Sequence, residues 1–217
     1  MSNIKLVHSG GNSVSLTTPT NNPSSNVTFK LPQADGSAGQ VLQTDGNGNL
    51  SWVTPVTTAG ITEVDQWRLN ANKQLSTSWN DITANLERAD NTFSTYIGTG
   101  MSQSSGVFTF PSAGKWLVQA NGYLYSSNQE MHYGQIRTVV SSDSGSSYTI
   151  VGYAIGNATS GGAYGNFNSV ELIDVTNAST FRLKFDVRSG AGGNDDFLVG
   201  YTGENATSFL FTRLGDT

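Results

Sequence analysis

The sequence predicts an all-β fold, an antiparallel jelly-roll sandwich preceded by a small β-rich segment, and three observations carry that expectation. Apolar residues alternate with period two through most of the chain, as they do in strands with one buried face. The alternating runs are short and are separated at regular spacing by Ser, Asn, Gly and Pro, the residues of turns. No stretch of useful length carries the apolar stripe of a helix. Because the alternation leaves one face of each strand polar, the sheets are expected to be antiparallel, since parallel sheets are covered on both faces. A nucleotide-binding α/β fold is thereby excluded.

Residues 1–57 form the β-rich segment. IKLVHSGGNSVSLTTP and SNVTFKLP hold short alternating stretches, and GQVLQTDGNGNLSWV reads as two strands around Asp45-Gly46-Asn47-Gly48. Asp-Gly and Asn-Gly supply the positive φ that a tight hairpin needs. Large apolar residues are few, chiefly Leu31, Val41, Leu42, Leu50 and Trp52, so the segment is expected to need partners to bury them. TPVTTAG, from Thr54 to Gly60, marks the boundary, and residues 58–217 form the main domain.

Strands of the main domain are expected at Ile61–Leu69, Asn85–Ala89, Thr92–Ile97, Gly106–Phe110, Lys115–Tyr125, Met131–Val140, Tyr148–Ala154, Asn166–Val175, Thr180–Arg188, Phe197–Tyr201 and Thr207–Leu214. The loudest signal is GVFTFPSAGKWLVQANGYL, residues 106–124, which reads as a hairpin turning at Pro111-Ser112-Ala113-Gly114. Phe108 and Phe110 share the core face before the turn, and Trp116, Val118, Ala120, Gly122 and Leu124 share it afterwards. Thr109, Lys115, Gln119, Asn121 and Tyr123 take the opposite face. TFRLKFDVR alternates as cleanly, with Phe181, Leu183, Phe185 and Val187 inward and Thr180, Arg182, Lys184, Asp186 and Arg188 outward.

Charged residues make up only 12% of the 217, and glycines number 25, so the surface is built largely from Ser, Thr, Asn and Gly, as suits extracellular or virion β proteins. A net charge of -5 leaves no basic field for nucleic acid, and the Lys and Arg residues are scattered. No run approaches the roughly 18 apolar residues of a membrane span, so no membrane insertion is expected. MSNIKLVHSGG lacks the apolar core of a signal sequence, which predicts synthesis in a cytoplasm without export. Cysteine is absent, so stability is expected to come from packing.

Catalytic patterns are missing. No G-x-S-x-G elbow, P-loop or H-E-x-x-H occurs, and neither His8 nor His132 sits in metal-ligand spacing. Glu130, Glu171 and Glu204 fall on expected loops or exposed strand positions, without the pairing that glycoside hydrolysis uses. In SGAGGNDDF, Asn194, Asp195 and Asp196 place several oxygens on a Gly-rich loop, which suits a hard cation such as calcium or, more plainly, a solvated turn. Trp116 belongs to the core by its alternation, whereas Trp79, in the polar stretch STSWND, is the aromatic best placed to bind a ligand. Tyr123, Tyr125, Tyr133, Tyr148, Tyr153 and Tyr164 suit either subunit contacts or a glycan surface.

SSGVFTFPSAGKWLVQANGYL resembles the strand pair that marks the jelly rolls of the complement C-one-q and tumour-necrosis-factor-like family, and TSFLFTRLGD, with Phe209 and Phe211, is similar to that family's buried last strand. The resemblance spans residues 61–217. It implies a homotrimer, in which three copies of residues 1–57 would bury Leu31, Val41, Leu50 and Trp52 together. Some complement-type heads hold calcium, which the resemblance extends to Asn194, Asp195 and Asp196. ADGSAGQVLQTDGNGNLSWV, DQWRLNA and NLERAD also resemble modules that recur in structural and fibre proteins of marine phages, across residues 27–110 with gaps.

Together the resemblances imply a non-enzymatic bacteriophage virion protein, a head or tail fibre or tip. Its N-terminal segment would attach to other virion proteins, and its head would bind a host-surface glycan or protein. The alternatives are a capsid or tail decoration protein without host binding and, less favoured, a polysaccharide-cleaving tailspike. Counting strands back from the C-terminus as alternating in direction places the loops 203–206, 176–179 and 141–147 at the end opposite the C-terminus, and 190–196 at the C-terminal end. The first group carries Asp143, Ser144, Asn177, Glu204 and Asn205, which offer polar groups for a receptor.

Overall fold

In the computed structural model, which describes residues 4–16, 20–21, 23–55, 60–190 and 195–217, none of these is helical and the alternating runs are strands. The chain divides into two units, Met1–Thr58 and Ala59–Thr217.

The first unit holds two separate antiparallel pairs, β1 (Ile4–Val7) with β2 (Ser13–Leu16) and β3 (Val41–Thr44) with β4 (Leu50–Val53). In the second pair the Asp45 carboxylate accepts from the amides of Asn47, at 2.8 Å, and Asn49, at 3.1 Å, closing the expected turn. Gly48 has φ +87, and a Cβ there would meet the Thr28 carbonyl oxygen at 2.3 Å, so only glycine lets residues 28–30 run beside β4. None of the unit's described side chains is buried, and Phe29 and Leu31 are 66% and 75% exposed.

The second unit is a sandwich of two antiparallel sheets. The first sheet runs in the order β13 (Thr149–Gly156), β12 (Gly134–Ser141), β15 (Arg182–Ser189), β10 (Val107–Thr109), β9 (Ser102–Ser104), with β7 (Asn80–Asp81) also paired to β15. The second is built on β11 (Gly114–Ser126), which pairs along its whole length with β14 (Ala163–Val175). The other edge of β11 carries β16 (Asp196–Leu198) and β17 (Ser208–Gly215), and the sheet continues to β6 (Lys73–Gln74) beyond β16 and to β5 (Val64–Leu69) and β8 (Leu86–Arg88) beyond β17. The core between the sheets is aromatic. Phe108 lies 5.5 Å from Trp67, 6.0 Å from Phe185 and 5.0 Å from Phe211, ring centre to ring centre, and all four side chains are buried. Each such ring contributes on the order of 1.5–3 kcal/mol from burial.

The strongest sequence signal forms its strands, core face and turn, but not a hairpin. β10 pairs with β9 and β15 in one sheet and β11 with β14, β16 and β17 in the other, so Pro111–Gly114 is a crossing between sheets. Phe110 and Trp116 consequently meet edge to face across the core at 5.1 Å instead of lying side by side. Residues 92–97 form no strand beyond an isolated bridge from Ile97 to Val64, whereas β6, β7 and β9, each of two or three residues, were not expected.

Candidate functional site

β11 fixes which loops of the second unit share an end. β14 runs against it from Ser126 opposite Ala163 to Gly114 opposite Val175, and β17 reaches Gly215 opposite Lys115, so the loop after β14 and the C-terminus lie together at the Gly114 end. β15 starts at that end, with Arg182 opposite Ser141, and the Ser144 amide donates to the Thr180 carbonyl at 2.9 Å. Asp143, Ser144 and Asn177 therefore gather at the C-terminal end, a correction of the expected placement. The cause is β16 and β17. They lie end to end along one edge of β11, from Asp196 opposite Ser126 to Gly215 opposite Lys115, and so form one interrupted line where the sequence reads as two reversing strands. Miscounting that line inverts every earlier loop, and residue 195 lies at the end opposite the C-terminus with the loops 127–133 and 157–162.

Residues 199–207 leave the line as an excursion. It is anchored where the fully buried Arg68 donates to the Thr202 carbonyl and the Asn205 amide donates to Gln66 Oε1 at 3.1 Å. Glu204 and Asn205 thus stand apart from the other three expected residues. Asp143 and Asn177 are occupied by their own turns. The Asp143 carboxylate accepts from the hydroxyls of Ser141 and Ser147, both at 2.6 Å, and these bonds hold its pKa well below the usual carboxylate range. Asn177 Oδ1 accepts from the Ser179 amide at 3.0 Å and hydroxyl at 2.7 Å. Ser144 takes a positive φ of 64°.

Of the expected cation ligands, Asn194 lies outside the described residues. Asp196 is fully buried and accepts from the Ser126 hydroxyl at 2.8 Å, while Asp195 offers its backbone carbonyl to the Ser127 amide at 2.9 Å. No three His, Asp or Glu side chains gather in metal-binding geometry among the described residues.

Two faces carry more chemistry than the loops. On the outer face of the second sheet, Leu117 is opposite Leu172, Gln119 opposite Val170, Asn121 opposite Asn168 and Tyr125 opposite Tyr164. The Tyr164 ring packs on Tyr123 at 5.2 Å and Tyr125 at 4.8 Å, and Val170 and Leu172 stand 52% and 68% exposed. Exposed apolar and aromatic side chains thus stand on this face among the polar Gln119, Asn121 and Asn168 and the Lys115–Asp174 ion pair.

The outer face of the first sheet is cationic and aromatic. The half-buried Trp79 lies with its ring centre 4.0 Å from the Arg137 guanidinium, 4.6 Å from that of Arg188 and 6.3 Å from the Tyr153 ring. Arg137 pairs with Asp186, and Lys184 pairs with Asp81 at 2.6 Å. Asp81 and Asp186 are register partners, and burial together with the Asp81 carboxylate pushes the Asp186 carboxyl up. Asp81 is held down, against the cost of its own burial, by its bond to Asp186 and by Lys184. Trp79 was expected from the sequence, but Arg137 and Arg188 were not. Their signal was the outward alternation of Arg182, Lys184, Asp186 and Arg188, whose neighbour across β12 only the register supplies.

Between the sheets sits Glu171, buried rather than exposed as expected. It accepts from the hydroxyls of Ser169 and Thr138, the latter at 3.2 Å, and burial raises its carboxyl above the ordinary value.

No protein-family model and no curated protein matches the chain. Solved structures do. One is the Eiger TNF of S. frugiperda, at 14% identity over 73% of this chain and 96% of that one, with a TM-score of 0.53. Others are murine APRIL at pH 5.0, 11% identical over 70% of this chain and 98% of its own with a TM-score of 0.48, and a vertex protein of PRD1, 12% identical over 72% and 100% with a TM-score of 0.43. The chain is therefore an all-β protein with the jelly-roll fold of the tumour-necrosis-factor-like structures.

Proposed function

We propose that the chain is a homotrimeric bacteriophage virion structural protein, with its jelly roll displayed for attachment to a host surface and residues 1–57 joining it to the particle. The observation that carries the trimer is the outer face of the second sheet, where Leu172, Val170 and the Tyr123, Tyr125 and Tyr164 cluster leave apolar area that a further copy of the chain would cover. The first unit supports it independently, since none of its described side chains is buried and Phe29 and Leu31 stand 66% and 75% exposed. The low charge, the Ser, Thr, Asn and Gly surface and the phage-like stretches within residues 27–110 support the virion role.

Attachment is assigned to the end opposite the C-terminus, through the loops 127–133 and 157–162. The groups of Asp143 and Asn177 serve their turns, and the chain both enters the second unit near Val64 and leaves it near Gly215 at the other end. The purified protein should compete with intact particles for adsorption to host cells. Adsorption unchanged at saturating protein would reject attachment and leave a decoration role.

A further inference from the structure

The Trp79 face of the first sheet holds a cation that no described carboxylate neutralises. Arg137 is paired with Asp186 and Lys184 with Asp81, whereas Arg188 gives its Nε to Gln135 Oε1 at 2.5 Å and has no ion pair among the described residues. Its guanidinium is held in place by two rings, Trp79 at 4.6 Å and Tyr133 at 5.7 Å, and by Gln135, which is itself bonded to the Tyr153 hydroxyl. Three cations and two carboxylates thus meet on a chain whose net charge is -5.

We propose that this face is a binding site for an acidic saccharide, with Arg188 pairing the carboxylate or sulfate group and the exposed Tyr153 ring packing against the sugar, while Trp79, which lies edge-on to Tyr153 with both guanidiniums over its ring, holds Arg188 in place. A phenol offers a rigid, amphipathic surface that loses little entropy on binding, as a ring with one apolar face requires. A guanidinium presents a planar fork of donors that matches a carboxylate or sulfate, and fixing it beforehand removes an ordering cost from binding. The two guanidiniums near one indole also repel each other, with only one neutralised, so an anion placed against Arg188 relieves what the protein leaves uncompensated. Tyr153 is 51% exposed, which leaves its ring open to a polymer passing over it. Asp186, pushed up by burial and by Asp81, takes up its proton before an ordinary carboxylate does, so the positive surplus grows on acidification.

The inference rests on the attachment reading, names a ligand class, and extends the attachment surface from the loop 127–133, through Tyr133, onto the neighbouring sheet face. Its test uses purified saccharides, so that its failure is separate from a failure of particle adsorption. Full-length protein is titrated calorimetrically with oligogalacturonate, sulfated dextran and neutral dextran. Binding of either acidic polymer is expected, weakening as salt rises, with none of the neutral one. R188Q should weaken binding at least tenfold with an unchanged melting temperature, R188K less so, and W79A should weaken it to a similar degree while W79F keeps most of it. Which acidic polymer binds tells a carboxylate from a sulfate ligand. No binding of either at millimolar concentration, or R188Q binding as tightly as the unaltered protein, would overturn the proposal.

Discussion

Glu171 shows how a single residue can be misjudged from sequence. Its neighbours in the chain alternate normally, so an exposed strand position is the natural reading. The structure turns it inward, where Gly152 makes the room, since a Cβ there would come within 1.8 Å of Glu171 Oε1. Burial raises its carboxyl above the ordinary 4.5, with the Ser169 and Thr138 hydroxyls pulling part of the way back. A raised folded-state value means that the group's contribution is fully present below the unfolded value and is lost as pH rises through the folded one. Glu171→Gln, neutral at every pH, should therefore melt above the unaltered protein at pH 8 and close to it at pH 4. A variant that melts lower at both would contradict the assignment. Trp116 was legible, because bulk and alternation point the same way, and Trp116→Ala should cost ~3–5 kcal/mol through the cavity it leaves, read from denaturant melts.

Among the elements, periodicity marked most of the strands and, β14 apart, their faces, but pairing partners lay beyond it. Phe108, Phe110 and Trp116 occupy core positions whether Pro111–Gly114 closes a hairpin or crosses between sheets, and only the long-range partners of β10 and β11 decide. Likewise, the polar run through residues 199–207 resembles a reversing turn, although β16 and β17 continue in one direction beside β11. That ambiguity alone moved Asp143, Ser144 and Asn177 to the other end of the sandwich. Gly106 marks another junction. With φ +82 and the Ile82 carbonyl oxygen 1.9 Å from where a Cβ would stand, Gly106→Ala should destabilise the turn between β9 and β10 and lower the melting temperature. On β14, Val170 and Leu172 face outward beside the tyrosine cluster. Replacing both with Asp should leave the fold of each chain intact, by circular dichroism, while reducing the assembled mass to that of one chain.

At the scale of the molecule, the first unit follows from what it lacks. Leu31, Val41 and Trp52 remain 75%, 50% and 39% exposed, and short strands with open edges do not stand alone in water. A protein beginning at Gly60 should fold with a cooperative melt, whereas residues 1–57 by themselves should show none. The sequence's scarcity of large apolar residues there already foretold a segment in need of partners, but nothing in it named the surface of the second unit that also needs covering. That surface appears only when β11 and β14 are laid side by side and Tyr123, Tyr125 and Tyr164 meet. Sedimentation equilibrium of the full-length protein tests self-association most directly. The account predicts a mass three times the 23.0 kDa of one chain, unchanged on dilution through the micromolar range. A mass of 23.0 kDa at every concentration would contradict it.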